Sequence, residues 1–184
     1  MVIIGMEHSL VEIYRRVLEN PGTDNRYLLV RRFLKDIDNS VELLSRVIGG
    51  EDTPDTVATM ASPENVIAAL VLNTVKKTGR KLRVIAPKEP VPGWDPLNLL
   101  IDELLEREII EVYRVSFRPS GRNHARRIVR NVARIARGLS AKNVDVTEAT
   151  APVIAGLYAG GARRFLVLVY QGYIVSYQSF SFTA

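Results

Sequence analysis

Hydrophobic positions recur with helical spacing in the first 50 residues and in strand-like runs after them. In the N-terminal part, apolar side chains three or four positions apart predict three helices, near 8–18, 24–37 and 39–49. Polar capping residues, proline and glycine separate these helices. We therefore expect residues 1–50 to form a helical segment that a short linker joins to the rest of the chain.

The remaining residues alternate short runs rich in valine and isoleucine with helical patterns. The predicted strands lie near 55–61, 82–86, 109–116, 143–147, 163–170 and 173–177, and the predicted helices near 64–78, 95–106, 121–138 and 149–160. This alternation is typical of an α/β fold with a Rossmann-like, doubly wound, mostly parallel sheet of five or six strands. Gln171-Gly172 favours a hairpin turn, which makes the last strand an antiparallel edge strand. Residues 51–184 are thus predicted to form one Rossmann-like domain.

Composition restricts the chemistry of the protein more than it restricts the fold. The 184 residues include no cysteine and two histidines, which excludes disulfides, thiolate catalysis and a cysteine- or histidine-rich zinc site. No apolar run approaches the roughly 20 residues of a membrane helix, and Met1–Gly5 is shorter than the apolar core of a signal peptide. We expect a cytoplasmic protein with no metal, no cofactor and no membrane contact.

Positive charge is concentrated between residues 112 and 144. This stretch has no acidic residue, whereas the rest of the chain has 16 cations and 20 acidic residues. The nine cations of the stretch are Arg114, Arg118, Arg122, Arg126, Arg127, Arg130, Arg134, Arg137 and Lys142. Arginines recur every four positions from Arg122 to Arg134, so they share one face of the predicted helix, where like charges repel. Such a face attracts a polyanion, which makes RNA or DNA one predicted partner.

Two short turns follow predicted strands at the edge where α/β sheets bind ligands. The first turn contains Met60, Ala61, Ser62 and Asn65, and the second contains Asp145, Thr147, Glu148, Ala149 and Thr150. Ligands of open α/β sheets lie outside the carboxyl ends of the strands, where helix N-termini present free N–H groups. Small hydroxyl side chains at both turns favour a polar, phosphorylated ligand. Neither turn is a Walker loop or a G-x-G-x-x-G motif, which argues against ATP hydrolysis and ordinary NAD binding.

Residues 60–66 and 145–153 resemble the two motif turns of CARF domains, the Rossmann-like sensors associated with CRISPR systems. The resemblance covers most of the chain after the N-terminal helices. It implies a homodimer that binds cyclic tetra- or hexa-adenylate, which type III CRISPR complexes make during infection. Glu148 and Ala149 replace the two glycines of the family's second motif, and Ala151 replaces a lysine that supports phosphate binding or ring cleavage.

Some CARF proteins cleave the ring that they bind, so the resemblance also implies a possible ring nuclease. The candidate catalytic residues are Ser62, Arg122 and His124, and Lys88, Arg118, Ser120 and Arg122 are further candidate ligand contacts at the same sheet edge. Arginine neutralises charge that develops on phosphorus, and histidine transfers protons. Two alternatives remain open. One is a non-catalytic sensor that signals through the N-terminal helices, and the other is an α/β protein that binds RNA or DNA through its arginine-rich helix.

Overall fold

A mixed sheet of seven strands forms the centre of the fold in the computed structural model, which describes residues 2–117 and 121–182, with side chains from residue 10 onwards. The strands are β1 (Ile48–Gly49), β2 (Thr56–Ala58), β3 (Leu82–Pro87), β4 (Ile110–Val115), β5 (Asn143–Asp145), β6 (Arg164–Gln171) and β7 (Ile174–Phe180). The helices are α1 (Val2–Glu19), α2 (Thr23–Lys35), α3 (Ile37–Leu44), α4 (Pro63–Val75), α5 (Asp95–Glu106), α6 (His124–Leu139) and α7 (Ala151–Ala159).

The strand order is β1-β7-β6-β5-β2-β3-β4. Strands β2 to β6 are parallel to one another, and β7 pairs with β6 in the antiparallel direction. The predicted fold class is therefore confirmed, including the antiparallel hairpin that brings β7 back along β6. The prediction that this last strand forms an edge of the sheet is wrong, because β1 pairs with its outer side.

The sequence pattern did not predict β1, which gives the sheet seven strands rather than five or six. Ile48–Gly49 pairs in parallel with Val175 and Ser176 of β7. Two residues are too few for an alternation of apolar and polar positions to be recognised. Gly50 follows with a φ of +148°, and a Cβ there would lie 3.2 Å from the Tyr177 Cβ, so only glycine fits the chain closely against β7.

Two hydrophobic clusters lie on opposite faces of the sheet. Neighbouring residues of a strand alternate between the two clusters. Val84 and Leu166 belong to the first cluster, whereas their neighbours Ile85 and Phe165 belong to the second. The first cluster contains buried side chains of α1 to α5, and the second contains those of α6 and α7. The sheet is thus covered on both faces, as parallel sheets of this class are.

The N-terminal helices form an additional layer over the first face. Every residue of α4 from Pro63 to Asn73 is buried, and α4 packs against α1, α2 and α3 as well as against the sheet. Its sequence has no polar stripe, which is expected of a helix without an exposed face. The helices α1 to α3 therefore cover α4 and, at its first turn, the carboxyl edge of the sheet.

Candidate ligand-binding site

The order of the strands reverses between β2 and β5. From β2 the chain continues to β3 and β4 on one side, and from β5 it continues to β6 on the other. Strands β2 and β5 pair directly, with Thr56 opposite Val144 and Val57 opposite Asp145. The two hydroxyl-rich turns therefore leave adjacent strands and lead into α4 and α7. We call this point, where the strand order reverses, the switch point. Open α/β sheets bind ligands in the crevice that forms there.

The first turn presents free backbone N–H groups, while the hydroxyl of its serine already takes part in a hydrogen bond. Ser62 precedes α4 without capping it, because its buried Oγ accepts a hydrogen bond from Arg26 Nη2 at 2.9 Å. The Ser62 N–H donates to Thr59 Oγ1 at 3.1 Å. The N–H groups of Met60 and Ala61 donate to no other described residue, and both residues are half-buried at the turn. These two amides are free to bind a ligand, whereas the Ser62 hydroxyl is accessible only if Arg26 moves.

The second turn is held by a buried carboxylate. Asp145 Oδ1 accepts hydrogen bonds from Thr147 N at 2.9 Å and Thr147 Oγ1 at 2.6 Å, and Oδ2 accepts one from the Tyr177 hydroxyl at 2.6 Å. Burial raises the pKa of Asp145 to about 6, although the hydrogen bonds from Thr147 and Tyr177 oppose the rise. Thr147 Oγ1 also accepts a bond from Leu168 N. These contacts fix the shape of the turn around two of its predicted site residues.

The rest of the second turn is open to solvent. Glu148 and Thr150 are exposed, and Ala149 is half-buried. Thr150 is the N-cap residue of α7, but its side chain makes no capping hydrogen bond. The N–H groups of Glu148 and Thr150 donate to no other described residue. This turn thus offers two amides and one free hydroxyl beside the N-terminus of α7.

Helix α1 and its connection to α2 form a roof over the switch point. A cavity of about 160 Å³ lies beneath this roof. It is lined by Val17, Leu18, Pro21, Glu64, Asn65, Thr147, Glu148, Leu168 and Tyr170. The side chain of Asn65 is buried, and its Nδ2 has no hydrogen-bond partner. Tyr14 fastens the roof by donating to the Glu64 carbonyl at 3.2 Å, and Tyr170 does so by donating to Glu19 at 2.9 Å.

A buried ion pair joins the roof to α4. Arg26 bonds Glu64 at two points, with Nη2 to Oε1 at 2.6 Å and Nε to Oε2 at 3.1 Å, and the two side chains are 11% and 6% exposed. Burial raises the pKa of Glu64, and the hydrogen bonds and charge of Arg26 oppose that rise. Neither residue was predicted as a site residue from the sequence, because the two positions are 38 apart and no local motif connects them.

The remaining predicted site residues lie farther along the same edge. Lys88 is exposed just beyond β3, while Arg122 is exposed and His124 half-buried where α6 begins after β4. Strand β4 is two strands away from β2, which corresponds to roughly 10 Å. Arg118 and Ser120 lie outside the described residues. The fold thus makes the two turns neighbours and places the start of α6 at a distance from them.

Comparison with known proteins assigns no family to this chain. No protein-family model matches it, and no curated protein is significantly similar to it in sequence. In the part of the chain that the structure describes, no group of three or more acidic or histidine side chains could hold a metal ion. None of the helices in that part has both the length and the apolarity needed to cross a membrane. The Rossmann-like architecture, with hydroxyl-rich turns at its switch point, is therefore the main guide to function.

Proposed function

We propose that this protein is a homodimeric, CARF-type receptor for cyclic oligoadenylate that binds its ligand at the switch point between β2 and β5. The observation that carries the proposal is the adjacency of the two turns. Four N–H groups there, those of Met60, Ala61, Glu148 and Thr150, have no partner within the described chain. Such groups at the start of helices bind phosphate oxygens, and each phosphate of a cyclic oligoadenylate carries a negative charge.

The surface of α7 supports the two-fold contact. Its sequence is apolar on all sides, and such a helix is normally buried all round. One side packs closely on α6, but the opposite side forms an apolar surface with Phe182. This surface, the α7 patch, consists of Ala151, Ile154, Ala155, Tyr158 and Phe182. A second copy packed along the α7 patch would bury it and bring two ligand sites together, because α7 begins at the second turn.

Slow cleavage of the bound ring is the enzymatic form of this proposal. A ribose 2′-oxygen attacks the adjacent phosphorus, a 2′,3′-cyclic phosphate forms, and the 5′-oxygen leaves with a proton. The reaction needs in-line geometry and stabilisation of charge on phosphorus rather than a metal. Arg122 and His124 are the candidates for charge stabilisation and proton transfer. The non-enzymatic form is a sensor whose N-terminal helices, which roof the site, transmit the binding event.

Calorimetric titration with cyclic tetra-adenylate and cyclic hexa-adenylate tests the proposal, with linear tetra-adenylate as the control ligand. We expect one ring per dimer and weaker binding of the linear compound. Chromatography of the recovered ligand then distinguishes a nuclease, which alters the ring, from a sensor, which returns it intact. Failure of both rings to bind would refute the proposed function.

A matched pair of variants locates the binding. Thr150→Ala removes a hydroxyl that makes no hydrogen bond within the described chain, so it should weaken ring binding about fivefold without lowering Tm. Ser179→Ala removes another exposed hydroxyl, on β7, which lies two strands away from β5, and should change neither quantity. Equal binding by the two variants would argue against a ligand contact at the second turn.

The exposed face of α6 supports a second candidate function, the binding of RNA or DNA. Arg126, Arg130, Arg134 and Arg137 are exposed, and their side chains make no ion pair or hydrogen bond with another described residue. At about 1.5 Å per residue, these arginines span roughly 17 Å of helix. Binding through them should not depend on base sequence and should fall steeply between about 50 and 200 mM salt. Tight binding that ignores salt would contradict this second function.

A further inference from the structure

The guanidinium of Arg26 has unused donors beside the first turn. Arginine has five N–H donors. Three of them are engaged, one from Nε and one from Nη2 by Glu64 and the second from Nη2 by Ser62. No described residue accepts a hydrogen bond from Nη1, and the Arg26 side chain is 11% exposed. The two N–H groups of Nη1 therefore have no acceptor among the described residues, on a guanidinium that contacts Ser62 at the start of α4.

The two turns carry little positive charge of their own. Among the described residues no lysine or arginine lines the cavity under the roof, so Arg26 lies outside this cavity, beside the first turn. The second turn carries the acidic residue Glu148. The helix N-termini contribute only partial positive charges. A ligand with several phosphates would therefore meet too little compensating charge from the turns alone. Arg26 supplies a full charge at this position, and it comes from α2 rather than from the sheet.

Glu64 fixes the orientation of Arg26. Its carboxylate takes one edge of the guanidinium at two points, so the side chain is held in one geometry before any ligand arrives. A side chain held in this way loses little conformational entropy on binding. The same carboxylate also lowers the net charge that an incoming phosphate meets. Glu64 thus positions Arg26 for binding and at the same time weakens its attraction for anions.

We propose that Arg26 binds a ligand phosphate through Nη1, so that the N-terminal helices contribute a binding residue to the switch-point site. The inference rests on the proposed binding of cyclic oligoadenylate. It accounts for the presence of a buried Arg26–Glu64 pair directly beside the first turn. It also gives the roof a direct route to the ligand, because movement of α2 changes the position of the bound phosphate.

Titration of the 184-residue chain with the ring that it binds tests this inference in four proteins. These are the wild type, Glu64→Gln, Arg26→Lys and the double variant Arg26→Met/Glu64→Gln. The double variant is used because Arg26→Met alone would leave the Glu64 carboxylate buried and unpaired. We expect Glu64→Gln to bind the ring three- to tenfold more tightly, because a competing negative charge is removed. Arg26→Lys should bind several-fold more weakly, since lysine lacks the planar fork, and the double variant at least tenfold more weakly.

The expected change in ring affinity is an increase for Glu64→Gln and a decrease for the variants of Arg26. These opposite changes distinguish ligand binding from a purely structural role. A structural pair would give weaker binding in every variant, in proportion to the loss of Tm. The salt dependence provides a second measurement, because loss of one phosphate contact lowers the slope of log K against log salt by about 0.7 on a single strand. A double variant that keeps the wild-type affinity and slope would overturn the inference while leaving the proposed function intact.

Failure of the proposed function itself has a different signature. If the wild type binds neither ring, titration with inorganic pyrophosphate tests Arg26 directly, without adenine or a ring. Binding by the wild type that is lost in the double variant would support Arg26 as an anion-binding residue. Equal binding, or none, by the two proteins would overturn the inference.

Discussion

Ionisation of Asp145 should destabilise the folded protein, and Asp145→Asn should remove this effect. Burial raises the pKa of Asp145 to about 6, against about 3.9 for an aspartate in an unfolded chain. Each pH unit between these values corresponds to about 1.4 kcal/mol. The cost is absent below about pH 3, where the carboxyl is mostly protonated in both states. It grows as the pH rises and reaches roughly 3 kcal/mol above about pH 6.

The geometry allows asparagine to replace the carboxylate with little loss of hydrogen bonding. The amide oxygen can accept the two hydrogen bonds from Thr147 that Asp145 Oδ1 now accepts. The amide nitrogen can donate to the Tyr177 oxygen, whose own proton then turns to the Asn65 carbonyl at 3.3 Å. Asp145→Asn should therefore fold, and its stability should lack the part of the pH dependence that comes from Asp145.

Urea unfolding of both proteins at pH 4, 5, 6 and 7, with linear extrapolation, measures this effect. The difference in unfolding free energy between variant and wild type should shift by about 2 kcal/mol in favour of the variant between pH 4 and 7, because about half of the unfolded chains are already ionised at this aspartate at pH 4. Titrating groups that do not interact with Asp145 cancel in this difference. Tyr177→Phe removes a hydrogen bond that opposes the rise in the pKa of Asp145, so it should enlarge the decline in stability and extend it to higher pH. A difference between Asp145→Asn and wild type that stays constant to within about 1 kcal/mol would refute the reasoning.

Three further predictions concern α6 and α7. Gly156→Ala should destabilise the fold by about 1–3 kcal/mol, because its Cβ would lie 2.7 and 2.8 Å from atoms of α6. A Cβ at Gly138 would meet no atom within 4 Å, so Gly138→Ala should not destabilise the fold. Equal Tm values for Gly156→Ala and Gly138→Ala would contradict the close packing of α7 on α6. Ala155→Glu should convert the proposed dimer to monomers in sedimentation while the circular dichroism is retained, and a surviving dimer would place the contact elsewhere. Arg126→Glu combined with Arg130→Glu should abolish RNA binding at about 50 mM salt and leave ring binding nearly unchanged. Loss of ring binding together with RNA binding in this variant would mean that α6 belongs to the ring site.

The sequence predicted the fold well because each large element carries its own periodicity. Valine-rich strands buried on both faces and helices with apolar stripes are local signals, and they place the two turns at the ends of strands. These local signals give the order of the strands only if right-handed crossover connections are also assumed. The pairing of Ile48–Gly49 with β7 lacks any local signal. It joins residues more than 120 positions apart through backbone hydrogen bonds.

The candidate site was predicted less completely, because contacts between residues far apart in the chain have no local signal in the sequence. Ser62 was expected at the start of α4, and it lies there, but its hydroxyl accepts a bond from Arg26 rather than capping the helix. Arg26 and Glu64 are charged residues in two separate helices, and sequence spacing gives no indication that they meet. Asp145 and Thr147 are two positions apart, and their contact is the kind of local interaction that a sequence can indicate.

Burial of α4 on every side has a consequence for how this chain can evolve. A helix appended to a domain can normally be lost or exchanged, because the surface beneath it is already polar. Here the surface beneath α1 to α3 is the apolar outer side of α4. Any deletion or replacement of the first helices must therefore be matched by new polar residues on α4, so the two parts of the sequence are constrained to change together.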